Sequence, residues 1–167
     1  WMNDHSRDYL FGVKGRGALV GAWRQAMIGE FAHATHKCSA HIMYDLHKAY
    51  ETVQHRHLLN QAIKYEYSTV ILRFLLSLYC MDRVITVHQV LGPVIKANRT
   101  IVPGDCNADT MMFLALLQAM DCIVSTTEIL YPAILADDIS LIHYAEDSIT
   151  CSRALSAAHG VLVHELE

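Results

Sequence analysis

The stretch Ile134-Leu135-Ala136-Asp137-Asp138-Ile139-Ser140-Leu141-Ile142 holds two adjacent carboxylates between two short apolar runs. Each run is rich in Ile and Leu and has the length of a strand, so the acidic pair is expected to join two strands, 129–135 and 139–144. Adjacent carboxylates repel one another unless a cation neutralises them. The stretch therefore predicts a turn between strands whose acids bind a divalent metal ion.

A second acidic position, Asp45, ends another strand-like segment, 39–45. Alternation along this strand separates two sets of side chains, with Ala40, Ile42 and Tyr44 on one face and His41, Met43 and Asp45 on the other. If the fold brings Asp45 beside Asp137 and Asp138, the three carboxylates form a metal-binding cage. Taken alone, the pair also fits a solvated turn, because Asp is common in turns.

Three ordered segments resemble the reverse transcriptases of non-LTR retrotransposons. The segment Asp45-Leu46-His47-Lys48-Ala49-Tyr50-Glu51-Thr52-Val53 resembles motif A of that family, and Ala136-Asp137-Asp138 is similar to motif C, its two-aspartate hairpin. Between them, Ile101-Val102-Pro103-Gly104-Asp105-Cys106-Asn107-Ala108 is similar to motif B, a glycine turn that leads into a helix. The order A, B, C matches the family, and the resemblance covers roughly residues 10 to 165.

The resemblance implies the core of an RNA-directed DNA polymerase that transfers nucleotides with two Mg²⁺ ions, for which Mn²⁺ can substitute. Asp45, Asp137 and Asp138 would then be the catalytic metal ligands, with the backbone carbonyl of Leu46 as a further ligand. Neighbouring side chains in a strand point to opposite faces, so Asp138 reaches the metals together with Asp137 only if the hairpin is tight.

The same resemblance assigns three substrate-binding positions, Tyr50, Gly104 and Leu46, the last through its backbone carbonyl. Tyr50 would lie under the sugar of the incoming deoxynucleoside triphosphate and exclude a 2′-hydroxyl by its volume. Gly104 would let the backbone approach the nucleotide or the RNA template paired with the DNA primer. Tyr50 and Gly104 both have a structural alternative: a core tyrosine and a glycine that only starts a buried helix. Pro103 stands where the family commonly has Gln, and Leu135 where it has an aromatic residue.

The length of 167 residues and a hydrophobic content of 53% are sufficient for one domain with a real core. We expect residues 1–167 to be a single partial reverse transcriptase domain, the end of the fingers plus the palm. The start of the fingers and the thumb would lie elsewhere in a larger polyprotein. The stretch alone is then not expected to polymerise efficiently, and its net charge of -4 suggests that the basic, nucleic-acid-binding parts lie outside it.

The apolar patterning predicts an α+β fold, an antiparallel sheet backed by helices, and the resemblance makes this sheet the ferredoxin-like core of a polymerase palm. Residues 1–18 are polar and Gly-rich, and residues 12–17 within them are expected to form a loop. Helices are expected at 18–36, 57–65, 68–79, 108–122 and 146–159, a hairpin within 83–95, and a last strand at 161–163 after Gly160. Trp23, Phe31, Phe74 and the cluster from Met111 to Met120 are expected in the core.

Five cysteines, an odd number without close pairing, argue against a disulfide framework and favour a reducing, intracellular compartment. The longest apolar run is too short to span a bilayer, so no membrane partner is expected. Two other functions fit the sequence. One is a catalytically inactive retroelement remnant that at most binds RNA or protein, and the other is a different metal-dependent nucleotidyl transferase or cyclase.

Overall fold

The computed structural model describes residues 1–129 and 131–166, and within them the chain is an α+β protein. Its elements in chain order are β1 (Leu10–Phe11), α1 (Ala18–Ala34), β2 (Cys38–Asp45), α2 (Ala49–Thr52), α3 (His55–Lys64), α4 (Thr69–Tyr79), β3 (Arg83–Val87), β4 (Val90–Ile95), α5 (Ala108–Thr126), β5 (Tyr131–Leu135), β6 (Asp138–Ala145) and α6 (Ser148–Leu166). The predicted helices and strands agree with these elements to within a few residues, with the exceptions below. Leu130, which belongs to the predicted strand 129–135, lies outside the described residues.

The chain divides into two compact units. One unit combines Trp1–His5 with Lys48–Ala115, and the other combines Ser6–His47 with Leu116–Glu167. The boundary between them falls within helix α5. That residues 1–167 form a single partial domain stays a prediction.

A four-stranded sheet organises the second unit, in the order β1-β5-β6-β2. The pairs β5–β6 and β6–β2 are antiparallel, as the sequence predicts. Strand β1 pairs with β5 in parallel, so the sheet is mixed and the purely antiparallel prediction is wrong at this edge. Leu10 and Phe11 are almost fully buried, but two apolar residues are too few to show a strand period, so no strand was predicted there.

Helices cover both faces of this sheet. On one face, the Gln25 side chain of α1 donates a hydrogen bond to the Ser140 hydroxyl of β6 at 2.7 Å. On the other face, the Tyr44 ring of β2 stacks on the His159 ring of α6, with an interplanar angle of 2°. Burial along β2 alternates as predicted, because Ala40, Ile42 and Tyr44 are half-buried and His41, Met43 and Asp45 are exposed.

Helix α6 continues through Gly160 to Leu166, so the predicted last strand at 161–163 is wrong. The buried side chains Cys151, Leu155, Ala158 and Leu162 keep one helical period across the glycine. At the start of the helix, the Asp147 carboxylate accepts a hydrogen bond from the Thr150 backbone N–H at 2.8 Å, and bonds from Thr150 lower the pKa of Asp147. A single glycine in a helix is tolerated when neighbouring positions are packed.

The first unit contains helices α2, α3 and α4 and the hairpin β3–β4. Helices α3 and α4 pack together, and each contributes a fully buried leucine, Leu58 in α3 and Leu72 in α4. The Ser68 hydroxyl caps α4 by accepting a hydrogen bond from the Ile71 backbone N–H at 3.5 Å.

Three aromatic residues expected in the core lie at the surface. The exposed fractions are 63% for Trp23, 51% for Phe31 and 65% for Phe74. On α1, the side that packs inward carries Gly21, Ile28 and Ala32 instead. Apolar spacing identified α1 and α4 correctly, but it does not say which apolar stripe of a helix is covered, and the four-residue helix α2 was not predicted. The cluster from Met111 to Met120 is buried as predicted, apart from half-buried Gln118.

Helix α5 is the one helix in the described part of the chain whose length and composition would allow it to cross a membrane. Of its most apolar window, 61% is buried inside the protein. A helix that is apolar nearly all round and buried in this way is typical of the core of a soluble domain.

Candidate functional site

Asp45 and Asp138 are partners across strands β2 and β6. Asp45 is the last residue of β2 and Asp138 the first of β6, and the two are aligned in the antiparallel register. Directly opposed residues in an antiparallel pair have their side chains on the same face, with Cβ atoms about 4.5–5.5 Å apart. Both residues are exposed. The fold therefore brings together two of the three acids that the sequence singled out.

Asp137 lies in the turn that joins β5 to β6. Leu135 is paired with Asp138, so Ala136 and Asp137 form a two-residue hairpin loop. Ala136 has φ 56°, in the left-handed region, which costs about 1 kcal/mol for a residue other than glycine. The hairpin is therefore tight, which is the condition stated above for Asp137 and Asp138 to reach the same metal ions. Asp137 is half-buried at the tip of the hairpin, and Asp138 begins the next strand.

A pocket of about 320 Å³ lies between helix α1 and the sheet face that carries Asp45 and Asp138. Its apolar wall includes Phe11, Met43 and Leu135. Gly21 keeps helix α1 close to this wall, since a Cβ atom at that position would lie 3.3 Å from the Phe11 ring. The carboxylates thus lie beside a mainly apolar recess large enough for a small organic group.

Ser140 forms a polar cluster deeper on the same face. Its hydroxyl is 2.7 Å from the His41 Nε2 atom and 2.7 Å from the Gln25 amide nitrogen that donates to it. Burial lowers the pKa of His41, which favours the neutral imidazole. The alternation of β2 already placed His41 on the face of Asp45, but no sequence signal linked that face to Gln25 or Ser140.

The acids do not form a three-ligand cluster. Among residues 1–129 and 131–166, no group of three or more His, Cys, Asp or Glu side chains is arranged to bind a metal ion. The oxygen donors of Asp45 and Asp138 are of the type that Mg²⁺ prefers, and their opposed register fits binding of a shared cation. Leu46 directly follows Asp45 and is half-buried.

Of the three predicted substrate-binding residues, Leu46 lies in the unit of Asp45, whereas Tyr50 and Gly104 lie in the other unit. Tyr50 is half-buried in α2, and its hydroxyl donates a hydrogen bond to the Asp109 carboxylate at 2.9 Å. Gly104 has φ 83°, and no atom lies within 4 Å of where its Cβ would be. With Pro103 before it and a 3.2 Å hydrogen bond from Asp105 N–H to Val102 C=O, it has the pattern of a type II turn. Its backbone is accessible, as a nucleotide-contacting glycine requires.

Two arginines of the second unit are engaged in local contacts. Arg16 forms an ion pair with Asp8 at 3.2 Å, and Arg24 donates to the Asp8 carbonyl at 2.9 Å. Both arginines therefore hold the segment before α1.

Comparison with known proteins gives no family assignment. The chain matches no protein-family model, and no curated protein matches it significantly.

Proposed function

We propose that this chain is a palm region of a non-LTR-type reverse transcriptase, an RNA-directed DNA polymerase core. The observation that carries the proposal is the register of Asp45 opposite Asp138 at adjoining strand ends. Acids from distant parts of the sequence are brought to one sheet face, next to a tight acidic hairpin. In this proposal the antiparallel strands β5, β6 and β2, with helices on their faces, correspond to the palm sheet and its ferredoxin-like core.

In the proposed site, Asp45, Asp137 and Asp138 bind Mg²⁺ or Mn²⁺ through carboxylate oxygens, and the Leu46 carbonyl contributes a further oxygen. When bound, two such ions would activate the attacking hydroxyl and stabilise the leaving group of the triphosphate. Without a cation, the opposed carboxylates repel one another. Cation binding by these acids therefore relieves a conflict that the fold itself creates.

The substrate side of the proposal rests on Tyr50 and Gly104. Tyr50 serves as the gate against a 2′-hydroxyl, and Gly104 as the point of backbone approach to the nucleotide or template. The partners are an RNA template, a DNA primer and deoxynucleoside triphosphates, inside the cell. The net charge of -4 gives little attraction for phosphates, so tight nucleic-acid binding requires basic segments of a larger polyprotein.

Metal binding provides the direct test. Mn²⁺ binding to the purified chain is measured by electron paramagnetic resonance, followed by competition with Mg²⁺. We expect Asp45→Asn and Asp138→Asn to weaken binding strongly, because each removes one of the opposed oxygen ligands. Asp82→Asn is the matched control, since Asp82 is an exposed aspartate in the other unit.

Two results would contradict the proposal. The first is negligible Mn²⁺ binding by the unsubstituted chain. The second is equal Mn²⁺ affinity in all three variants, so that Asp45→Asn and Asp138→Asn bind Mn²⁺ as strongly as the control Asp82→Asn. A circular dichroism spectrum and a cooperative melting curve for each variant separate loss of the site from loss of the fold.

One observation favours the second candidate, an inactive retroelement remnant that binds RNA or protein. In the described part of the chain the acids do not assemble into a three-ligand group. An inactive remnant would fold normally, bind no Mn²⁺ at Asp45 and Asp138, and show the same affinity for single-stranded RNA with and without Mg²⁺. The polymerase proposal instead expects Mg²⁺ to increase affinity for a primer–template duplex.

A further inference from the structure

Cys80 and His55 form a thiol–imidazole pair in the first unit. The Cys80 Sγ atom lies 3.3 Å from His55 Nδ1. The other ring nitrogen, Nε2, is 2.9 Å from the Thr100 backbone carbonyl. A carbonyl oxygen can only accept a hydrogen bond, so Nε2 carries the proton and the lone pair of Nδ1 faces the thiol. This is the arrangement of a nucleophile next to a base that a third group orients.

The pair is held by the ends of two helices. His55 is the first residue of α3 and Cys80 is the C-terminal cap of α4. Beside them, buried Tyr79 contacts the His55 ring at a centroid distance of 6.2 Å and donates a hydrogen bond to Asp105 at 2.8 Å. His55 is half-buried, whereas Cys80 is exposed. The base is therefore fixed in place while the sulfur remains accessible.

Arg83 lies beside the pair, because its guanidinium donates a hydrogen bond to the Tyr79 carbonyl at 3.2 Å, next to Cys80. The direct assistance to proton transfer comes from His55, whose Nδ1 atom faces the thiol at 3.3 Å.

We propose that Cys80, assisted by His55, is a reactive thiol that exchanges with small-molecule disulfides such as oxidised glutathione. In the exchange, the Cys80 proton passes to His55 Nδ1 and the sulfur attacks one sulfur of the disulfide. A mixed disulfide forms at Cys80 as the original S–S bond breaks, and the departing thiolate takes the proton from His55. No net oxidant is needed beyond the disulfide itself.

The chain carries its own comparison cysteines. Cys106 is also exposed, but its sulfur is hydrogen-bonded to the Asp105 carboxylate at 3.5 Å and to the Asn107 amide at 3.3 Å, not to an imidazole. Cys38 is exposed as well, and among the residues that the structure describes no imidazole is hydrogen-bonded to its sulfur. Cys151 is 1% exposed and reports on unfolding, because it reacts only when the second unit opens.

The test measures modification of each cysteine in the intact chain by oxidised glutathione, using peptide mass spectrometry over time. We expect Cys80 to react about tenfold faster than Cys106, as a base-assisted thiol does compared with one beside an acid. His55→Gln should reduce the rate at Cys80 to that of Cys38 and leave the other cysteines unchanged. Protection of Cys151 in the variant shows that the second unit remains folded, and an unchanged circular dichroism melting curve shows the same for the whole chain.

Either of two results would overturn the assignment. In one, Cys80 reacts no faster than Cys38 and Cys106 in the unsubstituted chain. In the other, His55→Gln leaves the rate at Cys80 unchanged. If His55→Gln unfolds the first unit, His55→Asn and the unsubstituted Cys80-to-Cys106 rate ratio still decide the question.

Discussion

Asp45 and Asp138 lie directly opposite each other at adjoining ends of β2 and β6, so two like charges share one face of the sheet. Packing does not require aspartate at either position, since both side chains are exposed and an uncharged residue would fit there equally well. Directly opposed like charges in a sheet reduce stability. The pair is thus a local conflict whose relief by a cation can be measured.

Replacing Asp138 with Asn should stabilise the chain when metal is absent. In EDTA, Asp138→Asn removes one of the opposed charges and should raise the free energy of unfolding by about 0.5 kcal/mol. In millimolar Mn²⁺ the original chain should be more stable than Asp138→Asn, because only the original chain gains full stability from binding the ion. Thermal melting in both buffers checks this, with Asp82→Asn as control. Equal destabilisation by Asp138→Asn in both buffers would contradict the expectation.

Tyr79 should limit the stability of the chain in alkaline solution. Its ring is buried, and the pKa of Tyr79 lies far above the ordinary value of 10.0. Burial is the largest cause of this rise, and the hydrogen bond to Asp105 is the next largest. Because the folded state holds the phenol neutral, its stabilising contribution is complete below pH 10.0 and is lost as pH rises above that value. Urea unfolding of Tyr79→Phe should therefore show less loss of stability between about pH 9 and 11 than the original chain.

The same substitution should be costly at neutral pH. Tyr79→Phe leaves Asp105 without its 2.8 Å donor, which we expect to cost about 1–2 kcal/mol. Tyr50→Phe is the matched control, because its hydroxyl also donates to a carboxylate but in an exposed setting. A larger loss for Tyr50→Phe than for Tyr79→Phe would show that burial does not set the strength of these bonds.

Asp121 should matter more for stability than any other surface acid that the structure describes. It accepts two hydrogen bonds from Arg7, at 3.0 and 3.1 Å, and a third from the Tyr9 hydroxyl. Asp121→Asn weakens all three, and we expect a loss of about 1–2 kcal/mol in urea unfolding. Asp8→Asn is the control, because the Asp8 side chain is 90% exposed and its pair with Arg16 should contribute about 0.5 kcal/mol or less.

Much of the fold could be predicted from apolar spacing, and the reasons are visible in single elements. Strand β2 alternates over eight residues, which is long enough for the period to appear. Strand β1 has two residues and shows no period, so the parallel pair at the sheet edge was missed. Trp23 and Phe31 share a helical stripe, but whether a partner covers that stripe depends on tertiary packing.

The candidate site was predictable only in part, for a geometric reason. The hairpin and the end of β2 are local features, so Asp45 and Asp138 could be identified before their register was known. The hydrogen bonds of Ser140 to Gln25 and His41 join three elements, and no pattern in the sequence connects them. The pair of Cys80 and His55 is likewise formed by helix ends that only the fold brings together.

Gly160 gives a direct test of the most clearly mistaken prediction. In the structure Gly160 is an exposed residue inside α6, and no atom lies within 4 Å of its missing Cβ. Gly160→Ala should therefore stabilise the chain by about 0.5–1 kcal/mol, because alanine loses less backbone freedom on folding. If the helix instead ended at Gly160 in a left-handed conformation, alanine would destabilise it.

Gly104→Ala supplies that contrast. Gly104 has equal open space around its missing Cβ but a φ of 83°, so the substitution should lower the stability of the chain by about 1 kcal/mol. Opposite signs for the two substitutions in urea unfolding would establish that α6 is continuous, and a loss at both would restore the predicted break.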